Sequence, residues 1–124
     1  TATQLRAALS IADVAAVTVH YNVGVRLGAA VRRVAEEKGI VFSPWHPGTV
    51  PPDSRFREVI DPIAAEHGAT AAQIALAWQL HRTATALPIP GTTSHEHLHQ
   101  NLGAVDIALA DDEVKAITAL TPGD

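Results

Sequence analysis

Three short apolar runs, each set beside a stretch with helical periodicity, constrain this chain more than any other feature of it. They are Val14 to Tyr21, Ile40 to Ser43 and Ala84 to Pro90. Each is too short for a core helix and the first two are rich in β-branched or aromatic residues, which predicts strands buried on both faces. The segments between them read as helices. Leu5, Ala8, Leu9 and Ala12 mark a leading amphipathic helix over 3–11, and Leu27, Val31, Val34 and Ala35 mark one face of a helix over 25–38. Gly39 then sits where a left-handed C-cap belongs. A further helix is predicted around Arg57 to His67, stopped by Gly68. Thr70-Ala71-Ala72-Gln73 has the form of a capping box, with Ile74, Ala77, Trp78 and Leu80 as the buried stripe behind it. Ser94 reads as the N-cap of a helix ending near Gly103, and Asp111 with Asp112 opens a last helix, acidic at its start as the helix dipole prefers. Strand and helix in alternation mean parallel strands joined by helical crossovers.

Composition narrows the function classes. A length of 124 residues suits one compact domain over 1–124, and 47% hydrophobic residues supply a real core. No apolar stretch is long enough to cross a membrane, and no leader pattern is visible, so a cytoplasmic protein is expected. The formal net charge of −4 argues against nucleic acid or an anionic membrane as the main partner. Cysteine is absent, which removes disulfides, thiolate chemistry and Cys-based zinc sites together.

In parallel α/β architectures ligands gather at the carboxyl ends of the strands. Three residue groups fall there: Thr18 to Asn22, Pro44 to Pro47, and Pro88 to Ser94. Gly91-Thr92-Thr93-Ser94 leads directly into a helix N-terminus, where free backbone N–H groups and the positive end of the dipole favour an anion. His20 and His46 both stand at strand ends, where an inward-facing imidazole can move protons; ordinary loop histidines are the simpler reading. His95 and His99 share a helix face, but no third ligand accompanies them, so no metal site is assigned. Trp78 lies mid-helix on the apolar side and is read as core, and Tyr21 points away from His20 across the strand.

The residues Gln73-Ile74-Ala75-Leu76-Ala77-Trp78, Pro88-Ile89-Pro90-Gly91-Thr92, Glu96-His97-Leu98 and Asn101-Leu102 resemble the closing region of the aldo-keto reductase family. Lys38 to Trp45 matches as well, and Val17 to Asn22 more loosely. The resemblance implies a partial TIM-type (β/α) barrel of about three parallel strands, corresponding to the C-terminal part of that family's barrel. It also implies NADP(H) as cofactor. Trp45 takes the place of the aromatic that stacks on nicotinamide, while Gly91, Thr92, Thr93 and Ser94 match the turn holding the phosphate on the adenosine ribose. His97 matches a basic position contacting the 2′-phosphate, and Gln100 and Asn101 match the pair contacting adenine. His97, Gln100 and Asn101 share one helix face, which is consistent with that assignment. Two departures stand out. Thr18 replaces a glutamine that would hold the carboxamide, and His46 and Gly48 replace a small residue and a leucine. The family's catalytic tyrosine, lysine, aspartate and histidine belong to strands earlier than those present here.

Three functional expectations follow. The first is the NADP(H)-binding portion of an oxidoreductase acting on a small carbonyl substrate, with the catalytic tetrad outside this chain. The second is a non-redox enzyme, a cyclase or isomerase, in which His20 and His46 act on the substrate. The third is a non-catalytic binding module. Three strands cannot close a barrel that needs about eight, so a second copy or a complementing chain is expected to cover the open edges.

Overall fold

The computed structural model describes residues 1–123. In chain order it comprises α1 (Ala2–Leu9), β1 (Ala16–His20), α2 (Ala29–Lys38), β2 (Val41–Trp45), α3 (Ser54–Glu66), α4 (Ala71–Arg82), α5 (His95–Gly103), a 3-10 turn (Ala104–Asp106) and α6 (Asp111–Ala119). β1 and β2 pair in parallel, with Thr18 opposite Ser43 and His20 opposite Trp45. The crossover between them is α2, closed by Gly39 at φ 66° with its N–H donating to Glu36. Nothing lies within 4 Å of a side chain built at Gly39, so only the left-handed backbone excludes other residues there. Gly39→Ala is therefore expected to destabilise by about 1 kcal/mol, read as an earlier thermal transition with unchanged far-UV circular dichroism.

The third predicted strand is reduced to an extended segment carrying a single parallel bridge, Phe42 to Ala86. Proline is the cause. Phe42 donates to Thr85 (2.9 Å), and Leu87 and Ile89 donate to Phe42 (2.8 Å) and Pro44 (3.3 Å). The next donor due on β2 would be Pro44, which has no N–H. Pro88 and Pro90 occupy the alternate positions whose N–H would point away from β2, so the outer margin lacks those donors too.

The expectation of strands buried on both faces is also corrected. Alternation places Ala16, Thr18, His20, Trp45, Leu87 and Ile89 on one side of the sheet and Val17, Val19, Phe42 and Pro44 on the other. The second side is the one covered by helices. The first is open: Trp45 is 40% exposed, Leu87 57% and Ile89 50%. Helical periodicity also placed Leu27 and Leu80 in apolar faces, yet both are exposed. Leu27 precedes the first turn of α2, which begins only at Ala29, so it never joins that helix face.

The core draws on both strands and on α1, α2, α3, α4 and α6. Tyr21 meets Phe42 edge-on (centroids 5.5 Å) and stacks on Trp78 (5.7 Å, 15° between planes). The Trp78 indole N–H donates to Thr118 Oγ1 at 3.0 Å, tying α4 to α6. Buried Gln79 donates from Nε2 to the Tyr21 carbonyl at 2.8 Å, which fixes the end of β1 against α4. The Arg26 guanidinium lies over the Tyr21 and Trp78 rings and donates to the Asn22 carbonyl. At the surface, Arg6 binds Glu37 at 2.9 Å between α1 and α2 and holds that carboxyl below the ordinary carboxylate range. As an exposed pair it contributes little to stability.

Candidate functional site

A cleft of about 410 Å³ opens at the carboxyl ends of the strands. Its walls come from the loop after β2 (His46, Pro47, Gly48, Thr49), the first turn of α4 (Thr70, Ala72), the third extended segment (Pro90, Gly91, Thr92) and α5 (His97, Gln100, Asn101). Two helix N-termini therefore border one space. Ser94 caps α5, its Oγ accepting from the His97 N–H at 3.3 Å, and Thr92 Oγ1 accepts from the Ser94 N–H at 3.0 Å. Thr70 caps α4 through a reciprocal box: Gln73 N–H to Thr70 Oγ1 (3.2 Å) and Thr70 N–H to Gln73 Oε1 (3.0 Å). The remaining first-turn amides have no intrahelical partner, and the positive ends of both dipoles lie beside the cleft.

The structure brings together Gly91, Thr92, His97, Gln100 and Asn101 of the sequence-derived site, and adds His46 to them. Thr93 and Ser94 stand in the same turn without lining the cleft. Gln100 donates from Nε2 to Glu96 at 3.3 Å, which turns that carboxylate along the helix. Thr70, Ala72 and Thr49 escaped the sequence reading. The capping box identified Thr70 as a helix start, but its place beside α5 is a contact between segments far apart in the chain.

Trp45 is not in the cleft wall. It forms a cluster next door with both histidines. His20 stacks on it at 4.1 Å between centroids and 16° between planes, and His46 meets it edge-on at 5.0 Å. His20 and His46 are 5.8 Å apart. His46 has a left-handed backbone, φ 53°, and its carbonyl accepts from Asn22 Nδ2 at 3.1 Å. The Gly24 N–H donates to Asn22 Oδ1 at 3.0 Å, so the amide is oriented from both ends. Asn22 Nδ2 is also 3.4 Å from His20 Nε2. Among the described residues no group of three or more His, Asp or Glu side chains is placed to hold a metal, and no helix is long and apolar enough to cross a membrane.

The donor set suits a phosphorylated nucleoside: hydroxyls and first-turn amides for phosphate, carboxamides for a base, an imidazole between them. The chain is 33% identical over 123 residues to pyridoxine 4-dehydrogenase of Escherichia coli, an alignment spanning 98% of this chain and 42% of that protein. Its fold superposes on a thermostable aldo-keto reductase solved with the inhibitor epalrestat at a TM-score of 0.86 and 29% identity, over 94% of this chain and 44% of that one. An aldo-keto reductase of the silkworm Bombyx mori solved with NADP shares the fold at 21% identity and a TM-score of 0.81, over 97% of this chain and 42% of the other. The chain thus spans less than half the length of these proteins, and its sheet is the corresponding portion of their barrel. The sequence model of the Aldo/keto reductase family matches residues 51–122, more than half of the chain. This chain belongs to the aldo/keto reductase family.

Proposed function

We propose that the chain forms the adenosine-phosphate-holding part of an NADP(H)-dependent reductase of carbonyl compounds, whose proton-donating residues lie on strands outside it. One observation carries this reading: the first turns of α4 and α5 border a single cleft that also holds His97, Gln100 and Asn101. In it the turn Gly91 to Ser94 and the α5 amides bind the ribose phosphate, and His97 lies against the same group. Gln100 and Asn101 face the base. The α4 end, with Thr70, receives the phosphates that link the two halves of the cofactor. The cofactor, when bound, supplies the hydride; the residues of this chain bind it and set its position.

NADPH is therefore expected to bind the 124-residue protein at least about tenfold more tightly than NADH, the margin being the extra phosphate contacts. Titration calorimetry with both cofactors tests it. Equal affinities, or no binding of either at millimolar concentration, would remove the reading.

A second reading rests on the cluster of His20, His46 and Trp45. Two imidazoles held 5.8 Å apart at strand ends suit proton transfer within one small substrate, as a cyclase or isomerase requires. Failure of both cofactors to bind would favour it. The open sheet side, with Trp45, Leu87 and Ile89, is covered on either reading by the missing barrel strands or by a second copy.

A further inference from the structure

Trp45 is the one aromatic among Phe, Trp and Tyr residues that is not buried; Tyr21, Phe42, Phe56 and Trp78 are each at most 2% exposed. It adjoins the cleft through His46, so a ring carried by a ligand seated there would find its stacking surface on this indole. One face of that surface is already in use. His20, opposite Trp45 in the register, covers the indole face turned toward β1 in a near-parallel stack. The His20 ring is held in place by Asn22, itself fixed by the His46 carbonyl and the Gly24 amide. The cleft proper ends short of this pair: neither His20 nor Trp45 lines it.

We propose that His20 competes with the second ring of a dinucleotide for Trp45, so that this chain holds the adenosine bisphosphate portion about as tightly as the whole dinucleotide. The inference rests on the cofactor reading given above and deepens it, since it names the part of the ligand the chain recognises. The two ends of the site then differ in kind. At the adenosine end the donors are open to the cleft. At the ring end a ligand must displace one stack to make another, and the exchange yields no net gain. His20 is on this account a specificity-determining residue, acting by occupying a surface.

The test uses the whole chain and two probes, 2′,5′-ADP and NADPH, titrated by calorimetry. In the unsubstituted protein their dissociation constants should agree within about threefold. His20→Ala should tighten NADPH about fivefold, the worth of one aromatic stack, and leave 2′,5′-ADP unchanged. His20→Phe, which keeps a ring on Trp45, should leave both unchanged and guards against a folding artefact in the alanine variant. NADPH binding tenfold or more tighter than 2′,5′-ADP in the unsubstituted protein overturns the proposal while leaving the cofactor reading intact. Weaker NADPH binding in His20→Ala also overturns it, because His20 would then buttress the indole for a ring on its other face. Binding of neither probe removes the cofactor reading and this inference with it.

Discussion

Trp78→Ala is expected to cost about 3–5 kcal/mol, the range for truncating a fully buried large aromatic. The residue is 0% exposed and joins three parts of the molecule. Its ring stacks on Tyr21 at the end of β1, lies under the Arg26 guanidinium at 4.4 Å and, through its N–H, holds Thr118 of α6 at 3.0 Å. Deleting it opens a cavity, takes one ring from under the Arg26 guanidinium and removes the N–H that the Thr118 hydroxyl accepts, although that hydroxyl still donates to the Val114 carbonyl. Small domains have only about 5–15 kcal/mol in all, so the variant should be largely unfolded at modest urea concentrations. Trp78→Phe separates the terms: it keeps the stack and loses the hydrogen bond, and should cost about 1–2 kcal/mol. Urea titrations followed by circular dichroism decide. A Trp78→Ala midpoint close to that of the unsubstituted protein would mean that α6 is not anchored as described.

The second large effect is on binding. His97→Glu should weaken NADPH about tenfold or more and leave NADH nearly unaffected. His97 is exposed in the first turn of α5 and lines the cleft. On the proposed cofactor reading a carboxylate there would face the 2′-phosphate across roughly 5 Å, where like charges repel by about 1–3 kcal/mol at effective dielectric constants between those of water and a protein surface. The loss should shrink as salt is raised, since the site is open to solvent. The same substitution places Glu three residues after the Ser94 cap, completing a capping box, so the helix itself should gain slightly. A fall in binding with a preserved or raised thermal midpoint would thus isolate the charge. Parallel losses for NADPH and NADH would place the phosphate elsewhere.

Much of the site was legible in the chain because its elements are local. The Ser94 cap, the turn from Gly91 and the common face of His97, Gln100 and Asn101 all lie within about three helical turns of sequence, and the structure keeps them together. Trp78 as core and Gly39 as a left-handed cap were legible for the same reason. The third strand was misjudged because apolar content signals burial, whereas a ladder needs N–H groups that Pro44, Pro88 and Pro90 do not have. Burial on both faces was misjudged because it depends on what covers the sheet, which no strand encodes by itself.

The sequence alone determined the order of the helices and of the first two strands, the caps at Gly39, Thr70 and Ser94, and the family to which they belong, since periodicity, capping residues and short motifs act over a few residues at a time. Tertiary structure decided the rest. Only the packing of α4 beside α5 sets Thr70 across the cleft from His97, and only the parallel register of β1 with β2 lays His20 on Trp45. Both juxtapositions join residues separated by about 25 positions, and their free energy appears only when the intervening helices have packed.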